Sequence, residues 1–172
     1  TLSSSSAASD VYKRQVAALN GHAFGGGLEL ALECDFIVAT DQVKIALPEV
    51  KHGLLPLGGG IGQLATRLPA NLAREMLLTG EPVDATRAHA LGLFYQVTPA
   101  EDLLESALAL AARLNRNAPL AVQACNALLR QALAVELSQQ SMAELAQLQQ
   151  SEDFQEGQRA FTEQRRPLWT GK

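Results

Sequence analysis

Ala17-Ala18-Leu19-Asn20-Gly21-His22-Ala23-Phe24-Gly25-Gly26-Gly27-Leu28-Glu29-Leu30-Ala31-Leu32 strings together an apolar run, a turn, a glycine triplet and an apolar segment that carries one acid. Val16 to Leu19, closing on Asn20-Gly21, reads as a strand followed by a turn. Leu28, Leu30, Ala31 and Leu32 follow the glycines on a short element that reads as a helix. Residues 35–40 are apolar and β-branched, end at Thr40-Asp41, and read as a buried strand. Strand, glycine turn, helix and strand make one crossover unit, right-handed by the general rule for such connections. The fold class expected is therefore α/β.

A helix that starts at Gly26 or Gly27 leaves its first N–H groups without helical acceptors, with the positive end of the helix dipole behind them. Glycine suits the position because a ligand can approach the backbone without meeting a Cβ, and because the turn can take positive φ. Glu29 lies just inside this helix, and a second acid, Glu49, follows Leu47-Pro48 twenty positions on. Taken singly, each feature has an ordinary reading. The triplet is a tight turn, Glu29 is a first-turn acid favoured by the dipole, and Glu49 is a solvated turn residue. Taken together, two carboxylates beside an N–H-rich turn suggest acid/base chemistry next to an anion site.

Further along, residues 44–47 read as another strand, 53–62 as a glycine-rich loop, and 63–68 as the element it leads into. Residues 71–79 have helical periodicity, with Leu72, Met76 and Leu77 on one side and Gly80 as the stop. Asp84 reads as the N-cap of a short helix ending near Gly92, before a strand over 93–97. Everything after Pro99 reads as helical. Segments 100–116, 119–135 and 137–150 carry leucine and alanine at three- and four-residue spacing, and a final element from Ser151 carries Phe154 and Phe161 towards Trp169.

The 172 residues, 47% hydrophobic, suffice for one sizeable core. A net charge of −4 and the lack of a basic block beyond Arg165-Arg166 remove the footprint expected of a nucleic-acid binder. Cys34 and Cys125 sit in apolar surroundings outside any CxxC spacing and read as buried thiols of a reducing, cytoplasmic compartment. His22, His52 and His89 are scattered, so no metal site is expected. No apolar stretch reaches the ~18 residues of a membrane span.

The stretch quoted above, continued by Cys34-Asp35-Phe36-Ile37, Leu47-Pro48-Glu49, Leu78-Thr79-Gly80 and Ala160-Phe161, resembles the crotonase family, the enoyl-CoA hydratases and isomerases. The resemblance runs from Val16 to the C-terminus and covers the second half to two-thirds of such an enzyme. It implies a partial crotonase-like ββα spiral with a helical C-terminal region. On that basis residues 16–98 form the spiral core with the active-site motifs, 99–172 a helical assembly region, and the serine-rich 1–15 a non-native or disordered leader on a truncated chain.

The same resemblance implies an enoyl-CoA hydratase that adds water reversibly to a trans-2-enoyl-CoA thioester, as in fatty acid metabolism. Glu29 would activate the water attacking Cβ, Glu49 would deliver a proton to Cα, and the Gly26 N–H would be one of two oxyanion donors. The other donor lies upstream in family members and has no counterpart here. Isomerases typically keep a carboxylate at the Glu49 position only, so both acids point to hydration or dehydration. Phe24, Gly25, Leu54, Pro56, Leu57 and Phe161 are the candidate substrate contacts. Leu57 and Ile61-Gly62-Gln63 depart from the family pattern around the second glycine cluster, and in the tail Gln164 stands where relatives place a CoA-binding lysine. The tail from Ser151 to Lys172 is similar to the subgroup that includes carnitinyl-CoA dehydratase. An acyl-CoA substrate, no metal or redox cofactor, and a homo-trimer or hexamer are implied. The alternatives are a carnitinyl-CoA-type dehydratase, an isomerase, or a non-catalytic CoA-binding or oligomerisation module.

Overall fold

The computed structural model describes residues 14–133, 146 and 149–170. Most of the leader expected over 1–15, and most of the helix expected over 137–150, lie outside them.

Strand β1 (Val16–Leu19) pairs in parallel with β3 (Phe36–Thr40), and β3 pairs in parallel with β6 (Gln96–Thr98). Helix α1 (Gly26–Glu33) forms the crossover between β1 and β3, as the sequence pattern requires. A second sheet joins β2 (Ala23–Phe24), β4 (Lys44–Ala46) and β5 (Val83–Asp84), with β2 and β4 parallel and β4 and β5 antiparallel. Helices α2 (Gly60–Arg67), α3 (Ala70–Thr79) and α4 (Ala85–Ala90) follow, then α5 (Leu103–Asn115), α6 (Pro119–Leu133) and α7 (Glu152–Thr162).

Alternation along β3 explains how its sheet is covered on both faces. Ile37 and Ala39 join Leu28, Leu32, Ile45, Leu47, Leu64, Met76 and Phe94 in the main core. Val38 points the other way and packs on Leu103, Ala107 and Leu110 of α5. Leu28 and Leu32, one turn apart on α1, are fully buried. Truncating either to alanine would cost about 2–5 kcal/mol. α1 is thus fixed rigidly, and its first turn with it.

Several local expectations need correction. The loop expected over 53–62 is shorter, because Gly59, at φ 100°, already caps α2, which begins at Gly60. Strand β6 starts at Gln96; Leu93 and Phe94, expected to begin it, are buried core residues in the preceding turn. Cys125 is exposed and Cys34 is half-buried, so the paired expectation of buried thiols fails for Cys125. The reason lies in α6, which is tied to the fold by Asn126 and Arg130 at the Asp35 carboxylate while Leu128, Leu129 and Leu133 remain exposed. Asp84 and Gly80 do cap their helices: the Asp84 carboxylate accepts the Arg87 N–H at 2.8 Å, and Gly80 ends α3 at φ 62°.

Candidate active site

Gly25 joins β2 to α1 at φ 56° and ψ −130°, a conformation open to glycine and strained for any residue with a Cβ. Its N–H donates to the Ala46 carbonyl at 3.0 Å, which ties the turn to β4. The Leu28 and Glu29 N–H groups turn back to the Gly25 carbonyl at 2.9 and 3.1 Å. The Gly26 and Gly27 N–H groups find no acceptor among the described residues, and a Cβ on either glycine would meet no atom within 4 Å. The first turn of α1 therefore presents free donors in front of open space, at the positive end of the helix.

Glu29 is buried, with 7% of its surface exposed. The Gly60 N–H, first in α2, donates to its Oε1 at 2.9 Å. A Cβ at Gly58 would lie 2.8 Å from Glu29 Oε2, and one at Gly60 3.0 Å from Oε1. The second glycine cluster is thus the cradle of the Glu29 carboxylate. The sequence offered a structural loop or an acyl-pocket wall at this point; the signal that distinguishes the cradle is a contact across thirty-one positions, which local reading does not contain.

Glu49 stands on a 3-10 turn, Pro48–His52, that closes on Gly53 at φ 67°. Its backbone carbonyl accepts the Leu54 N–H at 3.0 Å. The carboxyl Oε1 lies 3.1 Å from where a Gly25 Cβ would be, so the glycine turn and this acid are immediate neighbours. Oε2 is buried and has no hydrogen-bond partner among the described residues. Burial pushes the Glu49 carboxyl above the usual carboxylate range, the Glu29 charge adds to the rise, and a hydrogen bond from its own backbone and the His52 ring oppose it. A partnerless, desolvated carboxyl oxygen near a second carboxylate can chemically hold a proton and give it up.

Gly25, Gly26, Glu29 and Glu49 therefore converge. The remaining candidates surround them less tightly. Phe24, at the end of β2 and 43% exposed, stacks on His22 at 5.7 Å. Pro56 is buried, whereas Leu54 and Leu57 expose 37% and 50% of their surfaces on the loop between the Glu49 turn and the Glu29 cradle. Phe161 does not pack in the core: it is 69% exposed, with its ring edge-on to His52 at 5.3 Å. Among the described residues no group of three or more His, Cys, Asp or Glu is arranged to hold a metal, and no helix is long and apolar enough to cross a membrane.

Two carboxylates thus sit against a glycine-built helix start within an α/β fold. The Enoyl-CoA hydratase/isomerase family profile matches residues 2–172, and the chain belongs to that family. It is 39% identical over 170 residues to the carnitinyl-CoA dehydratase of Citrobacter koseri, a match covering 95% of this chain and 65% of that protein. The carnitinyl-CoA hydratase structure from Mycobacterium avium superposes with a TM-score of 0.84 at 39% identity, over 94% of this chain and 66% of that one. A methylmalonyl-CoA decarboxylase structure gives the same TM-score at 27% identity, over 93% and 65%. The chain thus spans about 65% of the length of the curated relatives it matches.

Proposed function

We propose that this chain carries the acid/base centre of an enoyl-CoA hydratase, which adds water reversibly across the Cα–Cβ double bond of a trans-2-enoyl-CoA thioester. The observation that carries the reading is the pair of carboxylates against the glycine turn: Glu29 held by Gly60, and half-buried Glu49 beside Gly25 with one buried oxygen unpartnered. In this reading Glu29 accepts a proton from water as the oxygen bonds to Cβ. The π electrons move onto the thioester carbonyl, and the Gly26 N–H stabilises the enolate oxygen that forms. Glu49 then gives its proton to Cα, for which its raised pKa prepares it. The reverse sequence dehydrates a 3-hydroxyacyl thioester, the direction in which a carnitinyl-CoA-type dehydratase would work.

The steps use only these groups and water, with no metal or redox cofactor. Phe24, Leu54, Pro56 and Leu57 would line the path of the acyl chain, and the second oxyanion donor would come from residues upstream of the resemblance. A double-bond isomerase needs one carboxylate, so the buried and anchored Glu29 favours hydration over isomerisation. A non-catalytic module would gain nothing from burying the unpartnered Glu49 oxygen. The exposed leucines of α5 and α6 fit assembly into a homo-trimer or hexamer in the cytoplasm.

The test is crotonyl-CoA hydration by the longest natural chain that carries this sequence, with product analysis. Glu29→Gln and Glu49→Gln should each lower turnover by about 10²-fold or more. Near-wild-type turnover in a folded variant removes that carboxylate from the mechanism, and conversion of a 3-enoyl thioester without hydration replaces the reading by isomerisation.

A further inference from the structure

Helix α7 touches the turn that bears Glu49 through bare backbone. A Cβ placed on Gly157 would overlap the His52 carbonyl oxygen outright and sit 2.6 Å from its carbon and 3.2 Å from the Gly53 nitrogen. From the other side, a Cβ on Gly53 would lie 3.0 Å from the Asp153 carbonyl and 3.3 Å from the Phe154 Cα. Glycine weakens a helix interior, so its presence at Gly157 has its explanation in this approach. One further contact joins helix and turn: the Phe161 ring meets the His52 ring edge-on. Glu156, next to Gly157, receives hydrogen bonds from Arg159, Arg165 and the Leu168 N–H, which tie the tail back onto α7. Across the turn, Gly80 at the end of α3 abuts Pro48, with an ideal Cβ 3.1 Å from the Pro48 Cα. The Glu49 turn is held between two helix backbones.

We infer that α7 is a positioning element for Glu49, and that Gly157 is its positioning residue, acting through the His52 carbonyl. The inference rests on the hydratase reading for its catalytic consequence. His52 and Glu49 share one 3-10 turn, so a side chain at position 157 displaces the rigid unit that seats the carboxyl beside Gly25. Phe161 belongs to the same contact, which gives it a role through His52 rather than only through CoA.

The experiment uses the longest natural chain carrying this sequence. Gly157→Ala and Phe161→Leu are each made alone and in the Glu49→Gln background, and kcat and KM for crotonyl-CoA are measured. Gly157→Ala should lower kcat by about 10- to 100-fold, the scale set by misplacing a reacting group by ~1 Å, with KM little changed. In the Glu49→Gln background the same substitution should lower kcat by less than about twofold, because the group it misplaces is already gone. An equal loss in both backgrounds, wild-type kcat, or a change in KM alone overturns the inference. If Gly157→Ala does not fold, Phe161→Leu decides: it inserts no volume, and its effect on kcat must likewise disappear with Glu49→Gln. A carboxyl ¹³C NMR titration, with Glu49 assigned by its absence in Glu49→Gln, supplies a readout independent of turnover. The Glu49 resonance should titrate closer to the ordinary carboxylate range in Gly157→Ala or Phe161→Leu than in the wild type. An unchanged titration in a folded variant overturns the positioning role, whereas a shifted titration in a protein without hydratase activity refutes the hydratase reading and leaves the positioning role standing.

Discussion

Gly58→Ala puts the Glu29 cradle to its sharpest test. The new Cβ would stand 2.8 Å from Glu29 Oε2 and 3.0 Å from its Cδ, against at least 3.4 Å for ordinary contact. The carboxylate must therefore retreat by roughly 0.6 Å, while the Gly60 N–H holds the other oxygen at 2.9 Å and resists the swing. A misplacement of about 1 Å lowers catalysis by ~10²-fold, so roughly a tenfold fall in kcat is expected. Backbone strain adds little, since Gly58 does not occupy the left-handed region. The clash falls on the end of a flexible side chain, so destabilisation should lie near the lower end of the ~1–3 kcal/mol typical of overpacking. Crotonyl-CoA hydration and thermal melting of the same preparation separate the two effects. Gly21→Ala is the control, because an added Cβ there meets nothing within 4 Å. A Gly58→Ala protein that melts normally and turns over within twofold of wild type would show that the placement of Glu29 does not matter to the chemistry.

Gly26→Pro removes the proposed oxyanion donor at the first position of α1, where proline is compatible with a helix, and should lower kcat by about 10²–10³-fold with a smaller change in KM. A rise in KM alone would refute the oxyanion role. Glu49→Gln should raise the melting temperature at neutral pH, because burial holds the folded carboxyl above its ordinary pKa of ~4.3. The wild type has this stability in full below the unfolded pKa and loses it as pH rises through the folded value, so the two proteins should melt alike in acid and diverge above. Equal melting at neutral pH would show that ionising Glu49 carries no penalty. Glu156 behaves oppositely: its hydrogen bonds from Arg165 and the Leu168 N–H hold it down at about 2. The tail contact should be complete above ~4.3 and fail as pH falls toward 2. Trp169, the sole tryptophan, reports it by fluorescence, and Glu156→Gln should shift the emission already at neutral pH.

The parts of the fold legible in the sequence are those whose signals are local. The glycine triplet announced the start of α1, Asp84 and Gly80 announced their caps, and the period of the leucines announced α3 and α5. Strands β2 and β5, two residues each, are too short to carry a period, and they exist because β4 offers them an edge. Leucine spacing alone could not tell which stripes are covered. On α5 Leu103, Ala107 and Leu110 meet β3, while Leu104 and Leu108 of the same helix stay exposed.

At the candidate site, the sequence singled out the two acids and the glycine turn but not what holds them. Glu29 is anchored by the N–H of Gly60, and Glu49 sits on a turn pressed by Gly80 and Gly157, contacts that join segments far apart in the chain. What these contacts share is that backbone, or a carboxylate, approaches backbone more closely than a Cβ comfortably permits. Close approach of this kind makes geometry rigid without adding side-chain freedom, which is what general acid/base catalysis by two neighbouring carboxylates requires. It also explains why the second glycine cluster could be read as a loop or a pocket wall but not as a cradle: what it contributes is the space it leaves, and that space has meaning only once Glu29 has been folded into it.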